Sequence, residues 1–242
     1  MSMGKGRRAM SAINEYQRKV IRTLKGLETK DDQLDFDTEI PVVNDQNVKI
    51  GLLRPIDCRL ANDTEIINSL TAWRRRFERF FFTQFEVSDE RTKSWLNNVV
   101  IKDDTRILFL VLDATGKGTG NLGACSITSD SAELDNFIRG ERGGDPKLML
   151  LSGLSLIGWI YRVLNIRKIS ARVLANNLRT LSVYEAADCF EWSRRPGLVK
   201  ESNSDESVEE SGFISMTLDV QKFLSGYPWM VRPDERASGG VG

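Results

Sequence analysis

The chain has 242 residues, 40% of them hydrophobic and 28% charged, which is the composition of a globular protein able to bury a sizeable core. Lys plus Arg and Asp plus Glu both number 34, so no overall basic field favours nucleic acid. Histidine is absent, which excludes Ser-His-Asp and Cys-His machinery, imidazole-based zinc sites and a histidine general base. Acid–base chemistry then falls to carboxylates, Tyr, Lys or water. Cys58, Cys125 and Cys189 are widely spaced, with no CxxC pair, and make neither a disulfide framework nor a metal site. Reduced thiols in a cytoplasmic protein are the expectation. The charged start, Met1 to Arg8, is not followed by an apolar run, which argues against a secretory signal. No metal is expected.

In chain order, residues 9 to 27 place Ile13, Tyr16, Val20, Leu24 and Leu27 at spacings of three and four, an amphipathic helix. An acidic stretch around Asp31 to Asp37 follows and Pro41 ends it, so residues 1–47 are expected to form a helical extension outside the main core. A strand is predicted at Val48 to Leu53. Asn62 or Asp63 can cap a helix carrying Ile66, Ile67, Leu70, Trp73 and Phe77, and a second helix is predicted after Ser88. Arg106 to Asp113 is a continuous apolar run, the pattern of a central strand. Further strands are predicted at Asn121 to Ile127 and Glu133 to Ile138. Leu148 to Leu164 approaches membrane-spanning length but is interrupted by Ser152, Ser155, Tyr161 and Arg162, and is expected to be a buried helix. A strand at Ile166 to Leu174, a helix at about 177 to 187, a solvated acidic loop at Glu201 to Ser211 and a strand at Gly212 to Asp219 complete the order. Hairpins in the first half argue for a mixed, largely antiparallel α/β (α+β) sheet with helices on both faces, not a doubly wound one.

Two glycine clusters need sorting. Gly118 to Gly123 matches GxGxxG, but strand-like residues follow where a dinucleotide site needs a helix, so it is expected to be a hairpin turn. Arg139 to Lys147 instead joins a strand to the long apolar helix, with Asp145 as candidate N-cap and Pro146 in the first turn. Free amides at a helix start, Gly143, Gly144, Arg142 and Lys147 suit a phosphate, while Asp145 opposes one. A plain structural connector fits the same residues.

Beyond the next strand, Asn177 and Tyr184 lie seven residues apart, on one helix face. Here the chain resembles the GNAT superfamily of acyl-CoA-dependent N-acyltransferases, whose closing motif places an Asn and a Tyr at this spacing. It looks most similar to those acting on nucleotide-linked amino sugars, with further likeness at Trp73-Arg74, Thr92 to Leu96 and Leu108 to Val111, over about residues 48–220. Residues 221–242 would be a tail. Two departures stand out: the family's loop glycines fall at Lys147 and Met149, and its closing Gly-Phe is replaced by Asp188-Cys189-Phe190.

The resemblance implies direct attack of an amine on an acyl-CoA thioester. The strand at Glu133 to Ile138 would splay from the strand at Ile166 to Leu174 and bind the pantetheine arm. Phe137, Ile138, Arg139, Arg142, Gly143, Gly144, Lys147 and Asn177 are the candidate CoA-binding residues. Tyr184 is the candidate proton donor to sulfur, and Glu133, with Asp135 behind it, the candidate base. Trp73 and Arg74 are candidates for stacking on and pairing with a nucleotide diphosphate. The expected partners are acyl-CoA and a nucleotide sugar, and the oligomeric state is left open, a homodimer included. Transfer to a protein N-terminus or another small amine, and a non-catalytic acyl-CoA-binding module, are the alternatives.

Overall fold

A computed structural model describes residues 12–30, 34–195, 200–201 and 212–231. Its elements are α1 (Glu15–Leu24), β1 (Ile40–Val43), β2 (Lys49–Pro55), α2 (Thr64–Phe77), β3 (Thr83–Gln84), α3 (Asp89–Trp95), β4 (Ile107–Asp113), β5 (Gly118–Cys125), β6 (Ser131–Arg139), α4 (Leu148–Val163), β7 (Lys168–Leu174), α5 (Leu178–Ala187), β8 (Phe190–Arg195), β9 (Lys200–Glu201), β10 (Phe213–Leu218) and α6 (Val220–Gly226). Eight strands form one sheet in the order β1-β2-β4-β5-β6-β7-β10-β8, and β3 pairs with β9 separately. Within the large sheet every pairing is antiparallel except β6 with β7. This is the mixed, largely antiparallel α/β sheet expected from the sequence.

The apolar run of β4 explains the layering. Strand side chains alternate between faces. Ile107, Phe109 and Val111 enter the core beneath α4, while Leu108, Leu110 and Leu112 enter a second core with Ile67, Leu70 and Trp73 of α2. Helix starts follow their caps: the Asp63 side chain accepts from the amides of Glu65 and Ile66, and Ser88 accepts from Arg91. The helix α3 runs on as a π-helical turn through Leu96–Ile101. The apolar helix α4 is buried along nearly its whole length, and no described helix is long and apolar enough to cross a membrane.

Four expectations are corrected. First, α1 belongs to the core: Val20 and Ile21 are fully buried with Leu24 in the same cluster as α4, and Tyr16 faces outward. Gln17 fixes the helix there, donating through Nε2 to the carbonyls of Leu164 at 2.8 Å and Ser129 at 3.2 Å. Second, β1 forms around Pro41, which an edge strand tolerates because the missing N–H faces away from the ladder. Third, Gly118 to Gly123 is not a turn but lies within β5, where a Cβ on Gly120 would sit 2.2 Å from the Ile138 carbonyl oxygen. Fourth, residues beyond 220 are not all tail, since Phe223 and Met230 are buried in the main core. The acidic stretch expected to be a solvated loop lies, after Glu201, outside the described residues.

Candidate active site

The parallel ladder between β6 and β7 runs only from Ser131 opposite Lys168 to Leu134 opposite Ala171. Beyond Leu134 the two strands separate. At the same place the β5–β6 register slips, from Gly123 opposite Asp135 to Asn121 opposite Ile138, and Asn136 takes a left-handed φ of 53°. This is a β-bulge, and it is held from both sides. The Asp135 carboxylate accepts from the Asn136 backbone N at 2.7 Å and from its Nδ2 at 2.8 Å, and is itself paired with Arg106. From β5, Asn121 Nδ2 donates to the Asn136 carbonyl at 2.7 Å. The bulge interrupts the ladder and turns backbone groups into a cavity of about 1120 Å³ bounded by β6, β7, α5 and the loop before α4.

One end of this cavity is cationic. Arg142 and Lys147 line it from the loop and Arg179 from α5, and among the described residues none of the three has a side-chain partner. Gly143 and Gly144 supply left-handed backbone, with φ of 110° and 67°, that turns the loop into the helix. Asp145 is not the N-cap; that position is Lys147, and Asp145 instead accepts from the Lys147 amide at 2.7 Å and the Leu148 amide at 3.0 Å. The first helical bond is Leu151 N to the Lys147 carbonyl, so the amides of Met149 and Leu150, whose residues line the cavity, are left as donors. Arg139 spans the loop, donating to the Gly143 carbonyl at 2.8 Å. Asn177 lines the cavity and caps α5, its Oδ1 accepting from the Thr180 amide at 3.3 Å. Ile138 is buried in the ladder opposite Asn121.

Tyr184 reaches the cavity from α5, its ring 6.1 Å from Phe137 and 5.0 Å from Phe190. Burial, with Asp135 and Glu133 adding to it, raises its phenol above the ordinary value of about 10, so it keeps its proton through neutral and alkaline pH. Glu133 also lines the cavity, but its Oε1 accepts from Arg172 Nε at 2.7 Å.

The sequence-based expectation for Trp73 and Arg74 is corrected: neither lines the cavity. Trp73 is buried, with Gly140 packed so closely on its indole that a Cβ there would lie 2.1 Å from the ring. Its Nε1 donates to Glu141 Oε1 at 2.8 Å. Trp73 thus fastens the loop that carries Arg142 and Lys147, and Arg76 donates to the Gly140 carbonyl beside it. Arg74 donates to the Thr83 carbonyl at 3.0 Å and lies 3.4 Å from the centroid of Phe81. The cavity is also lined by Arg76 and Phe77 at the end of α2, by Phe80, Phe81 and Phe82 just after it, and by Arg106 and Arg172. The Phe-Glu-Arg-Phe-Phe-Phe run was the available signal.

No protein-family model matches the chain, and no curated protein matches it in sequence. Solved structures do match in fold. A GCN5-related N-acetyltransferase from Brucella melitensis superposes with a TM-score of 0.55 at 16% identity, over 76% of this chain and 80% of that one. The fold is that of the GCN5-related N-acetyltransferases. RimL, a ribosomal L7/L12 alpha-N-protein acetyltransferase, matches with a TM-score of 0.55 at 15% identity, over 74% of this chain and 92% of its own. A spermidine N-acetyltransferase from Vibrio cholerae, in complex with CoA and spermine, matches with a TM-score of 0.51 at 20% identity, over 71% and 96% of the two chains. Against that N-acetyltransferase fold, the splayed strands and the loop before α4 stand out as the features of this chain with chemistry to offer.

Proposed function

We propose that the chain is an acyl-CoA-dependent N-acyltransferase that moves an acyl group to an amine by direct attack. The observation that carries this is the interrupted β6–β7 ladder opening into a cavity whose one mouth holds Arg142, Lys147, Arg179 and the free amides of α4. These groups suit the phosphates of CoA, and the unpaired edges of β6 and β7 suit the two amides of its pantetheine arm. Acyl-CoA, when bound, supplies an activated thioester carbonyl. The amine lone pair forms the new N–C bond, the C–S bond breaks, one N–H proton is lost and CoA leaves as a thiol.

The chain's own residues then have distinct tasks. Backbone donors freed at the bulge, beside Phe137, face the oxygen that gains charge during attack. The raised pKa of the Tyr184 phenol makes full proton transfer to a thiolate, whose reference pKa is about 8.5, uphill. Tyr184 therefore stabilises the leaving sulfur by a hydrogen bond, and water completes its protonation. Glu133 uses Oε2, which has no donor among the described residues, to take the amine's proton directly or through water.

The finer proposal, an amino group on a nucleotide-linked sugar, rests on Trp73 and Arg74, which lie outside the cavity lining. Its support is thereby reduced to resemblance. A protein N-terminus and a small amine, named for two of the fold neighbours, stand beside it as acceptors. Calorimetric titration with CoA tests the donor half. Binding is expected, and Arg142→Ala and Lys147→Ala should each weaken it roughly three- to tenfold, as loss of a partly exposed charged contact does. No CoA binding at millimolar concentration would overturn the proposal.

A further inference from the structure

The apolar helix α4 carries two glycines, and its neighbours demand only one of them. A Cβ on Gly158 would lie 2.3 Å from the Met230 carbonyl oxygen, so the close passage of the C-terminal segment requires glycine there. Gly153 meets no such backbone. The atoms nearest to a Cβ at that place would be Cε2 and Cζ of Phe137, at 3.2 and 3.9 Å, the far edge of a side-chain ring. Glycine is a poor residue for a helix interior, and at Gly153 no backbone contact accounts for it.

Beside Gly153 lies a second cavity, of about 20 Å³, bounded by residues of β6, α4 and α5 with Phe190 of β8. Among the described residues no polar atom lines it. A water molecule needs two or more polar partners to stay in so small a space, so this cavity is dry. Leu134, Phe137, Leu150, Val183 and Tyr184 line the large cavity too, which makes the two cavities neighbours across one wall. Phe137 and Tyr184, with ring centroids 6.1 Å apart, are also the residues that hold the two ends of the thioester group in the proposed reaction. The carbonyl oxygen sits beside the first and the sulfur beside the second, so the acyl chain starts at this wall. An alkyl carbon that passes it exchanges water for a dry apolar volume and gains contacts that the empty space lacks. A water-sized sphere takes up roughly 10–15 Å³, so about 20 Å³ suits one carbon beyond an acetyl methyl. The buried side chains of Leu154 and Ile157 bound the space and limit it to that.

We infer that this cavity takes the end of the acyl chain, that the acyl group is propionyl, and that Gly153 sets its length. This rests on the acyl transfer proposed above and names the donor class of the same site. The reaction is otherwise the same. The amine nitrogen bonds to the propionyl carbonyl carbon, the C–S bond breaks, one N–H proton is lost and CoA leaves as a thiol.

The test is calorimetric titration of the protein with CoA, acetyl-CoA, propionyl-CoA, butyryl-CoA and hexanoyl-CoA, which needs no acceptor. Propionyl-CoA is expected to bind about fourfold more tightly than acetyl-CoA, the factor that one buried methylene is worth. Hexanoyl-CoA should gain nothing over acetyl-CoA, because its last carbons exceed the cavity. Gly153→Ala puts a methyl group into the space and should bring the propionyl-to-acetyl ratio to one, in a helix that alanine suits. Ile157→Val enlarges the cavity by about one methyl group and should move the tightest binding to butyryl-CoA. Equal affinities for acetyl-CoA and propionyl-CoA would overturn the inference and leave the acyltransferase standing. So would a propionyl preference that survives Gly153→Ala, or an affinity that keeps rising through butyryl-CoA to hexanoyl-CoA. Binding of none of the five, CoA included, would overturn the donor reading and this inference together.

Discussion

Replacing Trp73 with Phe separates a residue that touches substrate from one that holds the loop. The indole is 2% exposed and its Nε1 donates to Glu141 Oε1 at 2.8 Å, so Phe keeps much of the packing and deletes the hydrogen bond. A hydrogen bond to a charged acceptor contributes about 1.5–3 kcal/mol, and the lower end applies because Glu141 is half-exposed and water can replace the indole. If all of that is felt by the loop bearing Arg142 and Lys147, CoA affinity falls by roughly tenfold. The shrunken ring should also lower the Tm by a few degrees, at about 2–4 °C per kcal/mol for a chain of this size. Glu141→Gln retains an acceptor without its charge and should give a smaller loss of the same kind. The assay is CoA titration calorimetry beside steady-state kinetics with the acceptor varied at saturating acetyl-CoA. An acceptor KM that rises while CoA affinity stays fixed would refute the loop-fastening role and return Trp73 to the acceptor.

Tyr184→Phe is expected to lower kcat roughly 10²-fold or more with little change in the KM for acetyl-CoA, because its hydrogen bond to sulfur strengthens only as the C–S bond breaks. Since burial raises its phenol, the wild-type rate should show no alkaline fall assignable to Tyr184 at or below pH 10, and such a fall absent from the mutant would refute the role given to it. At the bulge, Asn136→Gly keeps the left-handed backbone and should retain kcat, whereas Asn136→Val, strained at a φ of 53° by roughly 1–3 kcal/mol, should lose it; equal rates would detach the bulge from catalysis. Lys25 is buried, donating to the Asp103 carbonyl at 2.5 Å, and desolvation lowers it to about 8 from 10.5. The unfolded chain then binds more protons between these values, so stability rises as pH climbs from about 8 to about 10.5 and is lost again below. Denaturation midpoints should follow that rise in the wild type, relative to a flatter Lys25→Met; parallel curves would show that Lys25 keeps its ordinary acidity.

How far the sequence led can be judged from particular residues. The double-sided burial of β4, the helix starts at Asn62 or Asp63 and after Ser88, and the buried helix α4 were legible, because each is set by local pattern and by what strands and helices must satisfy. The place of α1 was not. Its spacing showed an apolar face, but a periodic face does not say which core receives it, and Gln17 reaches carbonyls more than a hundred residues away. At the candidate site, Tyr184, Glu133, Phe137, Arg142, Lys147 and Asn177 do meet at one cavity. Trp73 and Arg74 do not, since adjacent helix residues point to different sides and the sequence could not say which side faced the opening. The phenylalanine lining went unrecognised because Phe77 was absorbed into the helix period and the three phenylalanines after it belong to no period at all.

The most direct measurement is the mass of an amine acceptor after incubation with the purified protein and acetyl-CoA. Acyl transfer by direct attack is expected to yield the N-acetylated amine and free CoA in equal amounts, with no acetyl group left on the protein. Release of CoA without an acylated amine, or an acetyl group retained on a side chain of the chain, would contradict it.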